Sequence, residues 1–241
     1  MSYLEELKKE IKDNSNSEKA SLLMKFFKTG KGEYGEGDLF LGLIVPIQRK
    51  ISKKYEDKIG LEEIQELLNS KIHEFRLIAL FILIKKYEKS NKIEDEYKKR
   101  EIFNFYIKNV RKGNVNNWDL VDLSAPNILG NYLIDKDRKI LYNLVKSSNL
   151  WERRVAVLSC FSFIRERDFK DALKIADMLI KDKQDLIHKA VGWMLREIGK
   201  REEKILRKFL DKYSSIMPRT MLRYSIEKLS RKDKDNYMGK I

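Results

Sequence analysis

Two carboxylates and a tryptophan lie close together in the segment Asn116–Pro126, which reads Asn-Asn-Trp-Asp-Leu-Val-Asp-Leu-Ser-Ala-Pro. Trp118 and Asp122 are four residues apart, so a helix would place them on one face. Asp119 would face elsewhere, where it could cap the helix or join a salt bridge. A carboxylate held beside an indole is partly desolvated, which strengthens its field on a nearby cation. The segment is therefore a candidate site for stabilising positive charge.

Trp193 is the second aromatic candidate and lies in the motif Gly192-Trp-Met-Leu-Arg196. Together with Trp118 and Asp122 it would form an aromatic site for a cationic ligand. The alternative interpretation is that these tryptophans fill the core between packed helices. The pattern of residues alone leaves both interpretations open.

Other kinds of chemistry have little support. The glycine-rich stretch Gly30–Asp38 lacks the ending of a phosphate-binding loop and carries acidic residues, so we predict a loop between helices. His73 and His188 belong to no metal-binding pattern, and we interpret them as structural or surface groups. Cys160 is the only cysteine, which excludes an internal disulfide and a thiolate-rich zinc site. We expect neither a metal nor another cofactor.

The charge of the chain indicates a polyanionic partner. Its 241 residues include 51 Lys and Arg against 37 Asp and Glu, a formal net charge of +14. The last 77 residues alone hold 21 basic and 13 acidic side chains. Solvated helix surfaces explain many of these lysines but not the net excess. Duplex nucleic acid is the partner that this excess favours, and such binding would depend strongly on salt.

The elements that must position these residues are helices. Apolar residues recur at helical spacing throughout the chain, and no stretch shows the sustained alternation of a strand. We therefore predict an all-α fold. The helical patterns cover Leu4–Ile11, Leu22–Phe27, Leu61–Leu68, Phe75–Tyr87, Ile102–Val110, Ile140–Val145, Trp151–Phe163, Ala172–Ile180, Leu186–Ile198, Ile205–Leu210 and Leu222–Leu229.

A weak repeat runs through these helices. Its anchors Arg76, Asp119, Arg153, Lys189 and Arg223 are separated by 43, 34, 36 and 34 residues. These spacings approach the period of about 40–47 residues in two-helix HEAT repeats. Stacked helix pairs would form a solenoid with a concave, basic groove that suits a long rod. An ordinary helical bundle with coincidental spacing is the alternative.

We expect the chain to form one α-helical repeat domain over residues 1–241. Its first residues are amphipathic and charged, unlike a signal peptide. The longest apolar runs, Leu39–Ile47 and Leu77–Ile84, are far shorter than the roughly 20 residues that a membrane span needs. These features predict a cytoplasmic protein that does not bind membranes.

Four sequence blocks together resemble the AlkD-type DNA alkylation-repair family, which are HEAT-like-repeat DNA glycosylases. The blocks follow the family's order and span most of the chain. They are Phe27–Leu43 with Pro46, Asn117–Gly130, Asn149–Leu158 and Ile187–Glu197.

The resemblance implies hydrolysis of the N-glycosidic bond of alkylated purines, typically 3-methyladenine and 7-methylguanine, in duplex DNA. A carboxylate would stabilise the sugar oxocarbenium ion. No residue resembles an activated lysine nucleophile, so a monofunctional glycosylase without lyase activity is expected. The residues implied are Asp122 as the catalytic carboxylate, Trp118 and Trp193 as groove-lining tryptophans, and Arg154, with Arg153 adjacent, as the arginine that contacts DNA.

Lys189, the basic anchor of a later repeat, is a further candidate for contacting nucleic acid. A different class of function also fits the chain: a non-enzymatic HEAT-repeat scaffold that binds DNA or an acidic protein partner. Such a scaffold would bind without preference for lesions and would be indifferent to the loss of Asp122. A third alternative is an enzyme specialised for bulky or crosslinked adducts. No obligate protein partner is implied by the sequence.

Overall fold

The computed structural model describes residues 2–239, and within that range it contains fourteen α-helices and no β-strand. The predicted all-α class is confirmed. The helices, named α1 to α14 in chain order, are Tyr3–Asp13, Ser17–Phe26, Val45–Tyr55, Leu61–Leu68, His73–Lys92, Glu96–Arg111, Trp118–Ser124, Lys139–Val145, Leu150–Arg165, Lys170–Met178, Asp185–Arg201, Glu203–Tyr213, Arg219–Ile226 and Arg231–Met238. A π-helical turn, Pro126–Gly130, follows α7.

Several helix starts are fixed by their own sequence. The side chains of Ser2, Asn16, Asp95, Asn149 and Ser230 each accept a hydrogen bond from a backbone N–H in the first turn of α1, α2, α6, α9 and α14, respectively. Such caps satisfy donors that the helix itself leaves unpaired, and each stabilises a helix by about 1 kcal/mol. Local polar residues therefore decide where these helices begin.

The chain divides into two compact units, Met1–Leu120 and Val121–Ile241. In the first unit, α5 is the central helix and packs against α1, α3, α4 and α6. All of its residues from His73 to Ile84 are buried, as expected of a helix surrounded by neighbours. The predicted single domain over residues 1–241 stays a prediction.

In the second unit, α9 packs against α8, α10, α11 and the π-helical turn, and α11 packs against α13. A Cβ atom added at Gly192 of α11 would lie 2.6 Å from the Met221 carbonyl oxygen and 2.5 Å from Tyr224 Cβ in α13. The absence of a side chain thus permits the two helices to approach closely.

The repeat anchors fall on every second helix. Arg76 lies in α5, Asp119 in α7, Arg153 in α9, Lys189 in α11 and Arg223 in α13. This alternation matches the predicted two-helix repeat unit. No helix in residues 2–239 is long and apolar enough to cross a membrane.

Two features of the first unit differ from the sequence pattern. Helix α3 was not among the predicted helices, because its buried face includes Gln48 and Ser52 and its apolar periodicity is therefore thin. In α2, Leu22 and Phe26 are 65% and 64% exposed, although their spacing with Phe27 suggested a single buried face.

Candidate functional site

Asp122 and Arg154 form a bidentate ion pair in the second unit. The Arg154 Nε and Nη2 atoms donate to the two carboxylate oxygens of Asp122, each at 2.8 Å. The Arg154 Nη1 atom donates to the backbone carbonyl of Leu186. The Arg154 side chain is 5% exposed and that of Asp122 is 17% exposed. The guanidinium group therefore holds the Asp122 carboxylate in one orientation and leaves part of it open to solvent.

Arg153, the neighbouring candidate, has protein partners of its own. Its Nε donates to Asp182 at 2.8 Å, and its Nη1 donates to the carbonyls of Ser147 and Ser148 at 2.9 Å. These contacts tie the beginning of α9 to the preceding turn. The assignment of either arginine to DNA stays a prediction.

Trp193 and Lys189 lie one helical turn apart on α11. The Lys189 side chain is 40% exposed and pairs with Asp185 at 2.7 Å. Trp193 is partly exposed, and its ring centroid lies 6.0 Å from that of Phe161 in α9. The Arg165 guanidinium lies 4.4 Å from the centre of the Phe161 ring. An aromatic and cationic surface is thus built around Trp193.

Phe161 and Arg165 were missed at the level of sequence. Their spacing of four residues on one helix is the signal that could have found them, because an aromatic ring and a guanidinium at this spacing meet on one face.

Trp118 lies in the first unit at the start of α7 and is partly buried against the cluster formed by Ala20, Phe27 and Phe40. Its ring stacks on Phe27 with centroids 5.0 Å apart and planes 6° apart. Phe27 stacks on Phe40 at 4.9 Å, and Phe40 stacks on His73 at 4.5 Å. The tryptophan is therefore the outer member of a continuous stack of rings, which fixes its position. Nothing in the spacing of Phe27 and Trp118 along the chain connects the two residues.

His73 lies between two carboxylates in the interior of the first unit. Its Nε2 lies 2.8 Å from Asp119 and its Nδ1 lies 3.3 Å from Asp38. Arg76 pairs with Asp38 at 2.6 Å and also donates to Asn116. Of the two roles that the sequence left open for Asp119, a helix cap or a salt bridge, the structure shows a pair with His73. His73 is buried, in keeping with its interpretation as a structural group.

These buried charges anchor the glycine-rich segment, which is a loop between helices, as predicted, and lies between α2 and α3. Asp38 ends this segment and is held by His73 and Arg76. The buried Glu74 carboxylate accepts hydrogen bonds from the backbone N–H groups of Leu41, Gly42 and Leu43, just after the segment. The loop is thus tied down at its C-terminal end by α5.

The charged cluster makes stability depend on pH. Burial opposes a charge on His73, but the attraction of Asp119 and hydrogen bonds to Asp119 and Asp38 outweigh it and raise the His73 pKa above 6.5. Burial likewise opposes ionisation of Asp38, yet the His73 hydrogen bond and the Arg76 charge lower its pKa below 3.8. His73 therefore stabilises the fold below pH 6.5, and this contribution disappears as pH rises through its folded pKa. The Asp38 contribution exists above pH 3.8 and disappears as pH falls.

We expect the urea midpoint of the protein to fall between about pH 6 and about pH 9, because the folded state then loses the His73 proton that it binds more tightly than the unfolded state. The measurement is urea unfolding followed by circular dichroism at both pH values. In His73→Gln the side chain does not titrate, and this part of the fall should vanish. An equal fall in both proteins would contradict the assignment.

No group of three His, Cys, Asp or Glu side chains in the described part of the chain is arranged to hold a metal ion.

Comparison with known proteins places the chain in a family. The family described as "DNA alkylation repair enzyme" matches residues 7–229, so the chain belongs to it. No curated protein matches the chain. Among solved structures, the fold is similar to a predicted DNA alkylation repair enzyme from Enterococcus faecalis. That pair is 16% identical with a TM-score of 0.69, and the match covers 90% of this chain and 97% of the other.

Two proteins of Streptococcus mutans share the fold. AlkD2 is 17% identical with a TM-score of 0.56, over 89% of this chain and 99% of its own. The protein smu.31, from strain UA159, is 18% identical with a TM-score of 0.53, over 86% of this chain and 94% of its own. The family resemblance read from the sequence is thereby confirmed, and so is the helical-repeat fold.

Proposed function

We propose that this DNA alkylation repair protein is a monofunctional DNA glycosylase that hydrolyses the N-glycosidic bond of cationic alkylated purines in duplex DNA. The observation that supports it most is the bidentate pair between Asp122 and Arg154. An oriented carboxylate, with part of its surface open, can meet the positive charge that develops on the sugar when the base leaves.

The chemistry follows from the charge of the lesion. Alkylation at N3 or N7 makes the purine cationic, so the base is already a good leaving group and needs no acid to assist it. The remaining demand is stabilisation of the oxocarbenium ion, which a fixed negative charge provides at the transition state. A carboxylate has about four lone-pair positions, and Arg154 uses two of those on Asp122. The part of the carboxylate that is open to solvent, 17% of the Asp122 side chain, can face the sugar or position the attacking water.

The surrounding side chains have separate parts in this proposal. Arg154 orients Asp122, because all three of its donating nitrogens are directed to protein acceptors. Trp193, which lies in the same unit as Asp122, packs against the lesion nucleotide and excludes water, and Trp118 keeps the groove-lining role that the family resemblance implies. Arg153 stabilises the beginning of α9. Lys189, which is partly exposed one turn from Trp193, contacts phosphate.

The role of Lys189 predicts a change in salt dependence. Lys189→Gln should bind duplex DNA about threefold more weakly at low salt. Its slope of log K against log salt concentration should be shallower by about one, because one phosphate contact is lost. Fluorescence anisotropy with a labelled duplex measures both quantities. Lys204→Gln, an equal change of charge at an exposed position of α12, is the matched control. A slope that changes equally in both variants would contradict the contact.

The experiment that tests the function is incubation of the purified protein with methylated duplex DNA, followed by chromatography of the released bases and gel analysis of the strands. The proposal expects free 7-methylguanine and 3-methyladenine, with abasic sites that break only after alkali treatment. Release of no base in the presence of tight, salt-sensitive binding would instead support the non-enzymatic DNA-binding scaffold. Strand breaks before alkali would contradict the monofunctional mechanism.

A further inference from the structure

The first unit contains a cavity of about 430 Å³, which is within the range of about 300–1,000 Å³ typical of sites for small molecules. Its walls are mainly apolar and include Leu23, Phe27, Phe40 and Leu77. The aromatic walls are held in place by the ring stack that ends at Trp118. The cavity therefore has a rigid aromatic side, formed by residues distant in sequence.

The rim of this cavity is also apolar. Leu22, Ile44 and Val45 line it and are 65%, 45% and 40% exposed. Single exposed apolar side chains are ordinary, but three at the mouth of one cavity form a hydrophobic patch that a ligand would cover.

The polar groups of the cavity specify what such a ligand must carry. His73 and Asp119 line it but bind each other, and His73 also binds Asp38. Gln48 is 3% exposed, and its Nε2 donates to the Leu43 carbonyl at 2.7 Å, which fixes the orientation of the amide. Its buried Oε1 has no hydrogen-bond partner among the described residues.

The remaining polar group of the lining is Lys19. Its side chain is exposed at the mouth, and no ion pair to it is found within residues 2–239. A buried acceptor without a donor costs about 1–3 kcal/mol, so a ligand that supplies the donor gains stability from Gln48. The cavity thus offers one cation at its mouth and, just behind its wall, one unmet acceptor that a ligand reaches when the Gln48 side chain shifts.

We propose that this cavity binds a small aromatic anion that carries an N–H or O–H donor. Its rings lie against the Phe27 and Phe40 side of the cavity. Its donor meets Gln48 Oε1, and its anionic group pairs with Lys19. Inside the cavity, His73 is already paired with the Asp119 carboxylate and is not available to an anion. The anionic group of the ligand therefore lies at the mouth, beside Lys19. The proposal is independent of the glycosylase activity.

The test uses two probes that differ by a single charge: anilinonaphthalene sulfonate and its neutral parent, phenylnaphthylamine. Both have aromatic rings and one N–H donor, and only the first has an anionic group. Fluorescence titration of the full chain should give saturable binding of one probe per protein, tighter for the sulfonate by about threefold, as expected of an exposed ion pair. Equal affinity for the two probes would overturn the part assigned to Lys19.

Two variants on α2 test whether Lys19 is the cation that pairs with the anionic group of the probe. Lys19→Glu should weaken binding of the sulfonate about fivefold and leave the neutral probe unchanged, because only the exposed ion pair is reversed. Lys25→Glu makes the same change of charge on an exposed position of α2 that does not line the cavity, and it should change neither affinity. If both variants weaken binding of the sulfonate equally, the probe is held by the general positive charge of the protein, and the proposed site is overturned.

The donor and the location are tested separately. Gln48→Met removes the acceptor with little change of volume. It should weaken the binding of both probes about tenfold, since the N–H group of the probe then has no partner. Methyl NMR on the unsubstituted protein should show probe-induced shifts concentrated at Leu22, Leu23, Leu43, Ile44, Val45 and Leu77. Shifts concentrated elsewhere would overturn the proposal even if Gln48→Met fails to fold.

Discussion

Asp122→Asn should reduce the rate of release of 7-methylguanine by about 10²–10³-fold under single-turnover conditions. Asparagine keeps the shape of the side chain and one acceptor for Arg154, but it removes the negative charge that opposes the oxocarbenium ion. Binding of undamaged duplex should stay within about twofold of the original protein, because phosphate contacts depend on cations elsewhere. Base release is measured by chromatography and binding by anisotropy.

Asp182→Asn is the matched control for this experiment. Asp182 accepts a single hydrogen bond from Arg153 Nε at 2.8 Å, so the substitution weakens the carboxylate–arginine pair of the neighbouring residue of α9. Its rate of base release should remain within about twofold of the original. If Asp122→Asn keeps full activity, or if both variants lose it equally, the carboxylate has no special role in the reaction.

Arg76→Met should lower the free energy of unfolding by about 3–5 kcal/mol. Arg76 and Asp38 are 4% and 5% exposed, and their atoms Nη2 and Oδ2 lie 2.6 Å apart. Methionine fills much of the same volume but leaves the Asp38 carboxylate buried without its main cation. The loss of a partner for a buried charge is costly, because water cannot replace it. Urea unfolding near pH 7 gives the difference.

Arg207→Met tests whether any arginine ion pair would have the same effect. Arg207 pairs with Asp233 at 2.8 Å and with Glu203 at 2.7 Å, but its side chain is 33% exposed. The expected loss is at most about 1 kcal/mol, as for other pairs that water can reach. Equal losses in the two variants would show that burial of the Arg76 pair contributes nothing special.

The helices could largely be predicted from the sequence, because a helix needs only local information. Apolar residues at helical spacing indicated α5 and α9, and polar caps such as Asn149 mark where helices begin. Helix α3 escaped prediction because two of its buried positions are Gln48 and Ser52. Those residues are buried by the packing of distant elements, which local periodicity does not report.

The candidate site, too, could be predicted only in part from the sequence. Asp119 follows Trp118 directly and was predicted to lie off the face that Trp118 and Asp122 share; in the structure Asp119 meets His73, whereas Asp122 meets Arg154. The identities of those partners could not be derived from spacing. Asp122 and Arg154 are 32 residues apart, and Asp119 and His73 are 46 apart. Only the resemblance to the family drew attention to Arg154, and it assigned that residue to DNA rather than to Asp122.

The sequence by itself determined the helical class, the period of the repeat, the excess of positive charge and the family. Each of these depends on residue type and on spacing along the chain. The tertiary structure decided which charges are buried together, which rings support Trp118 and which apolar side chains remain exposed around the cavity. Those properties depend on side chains that meet across long separations in sequence, where desolvation and packing determine whether a charge is paired or a cavity stays open.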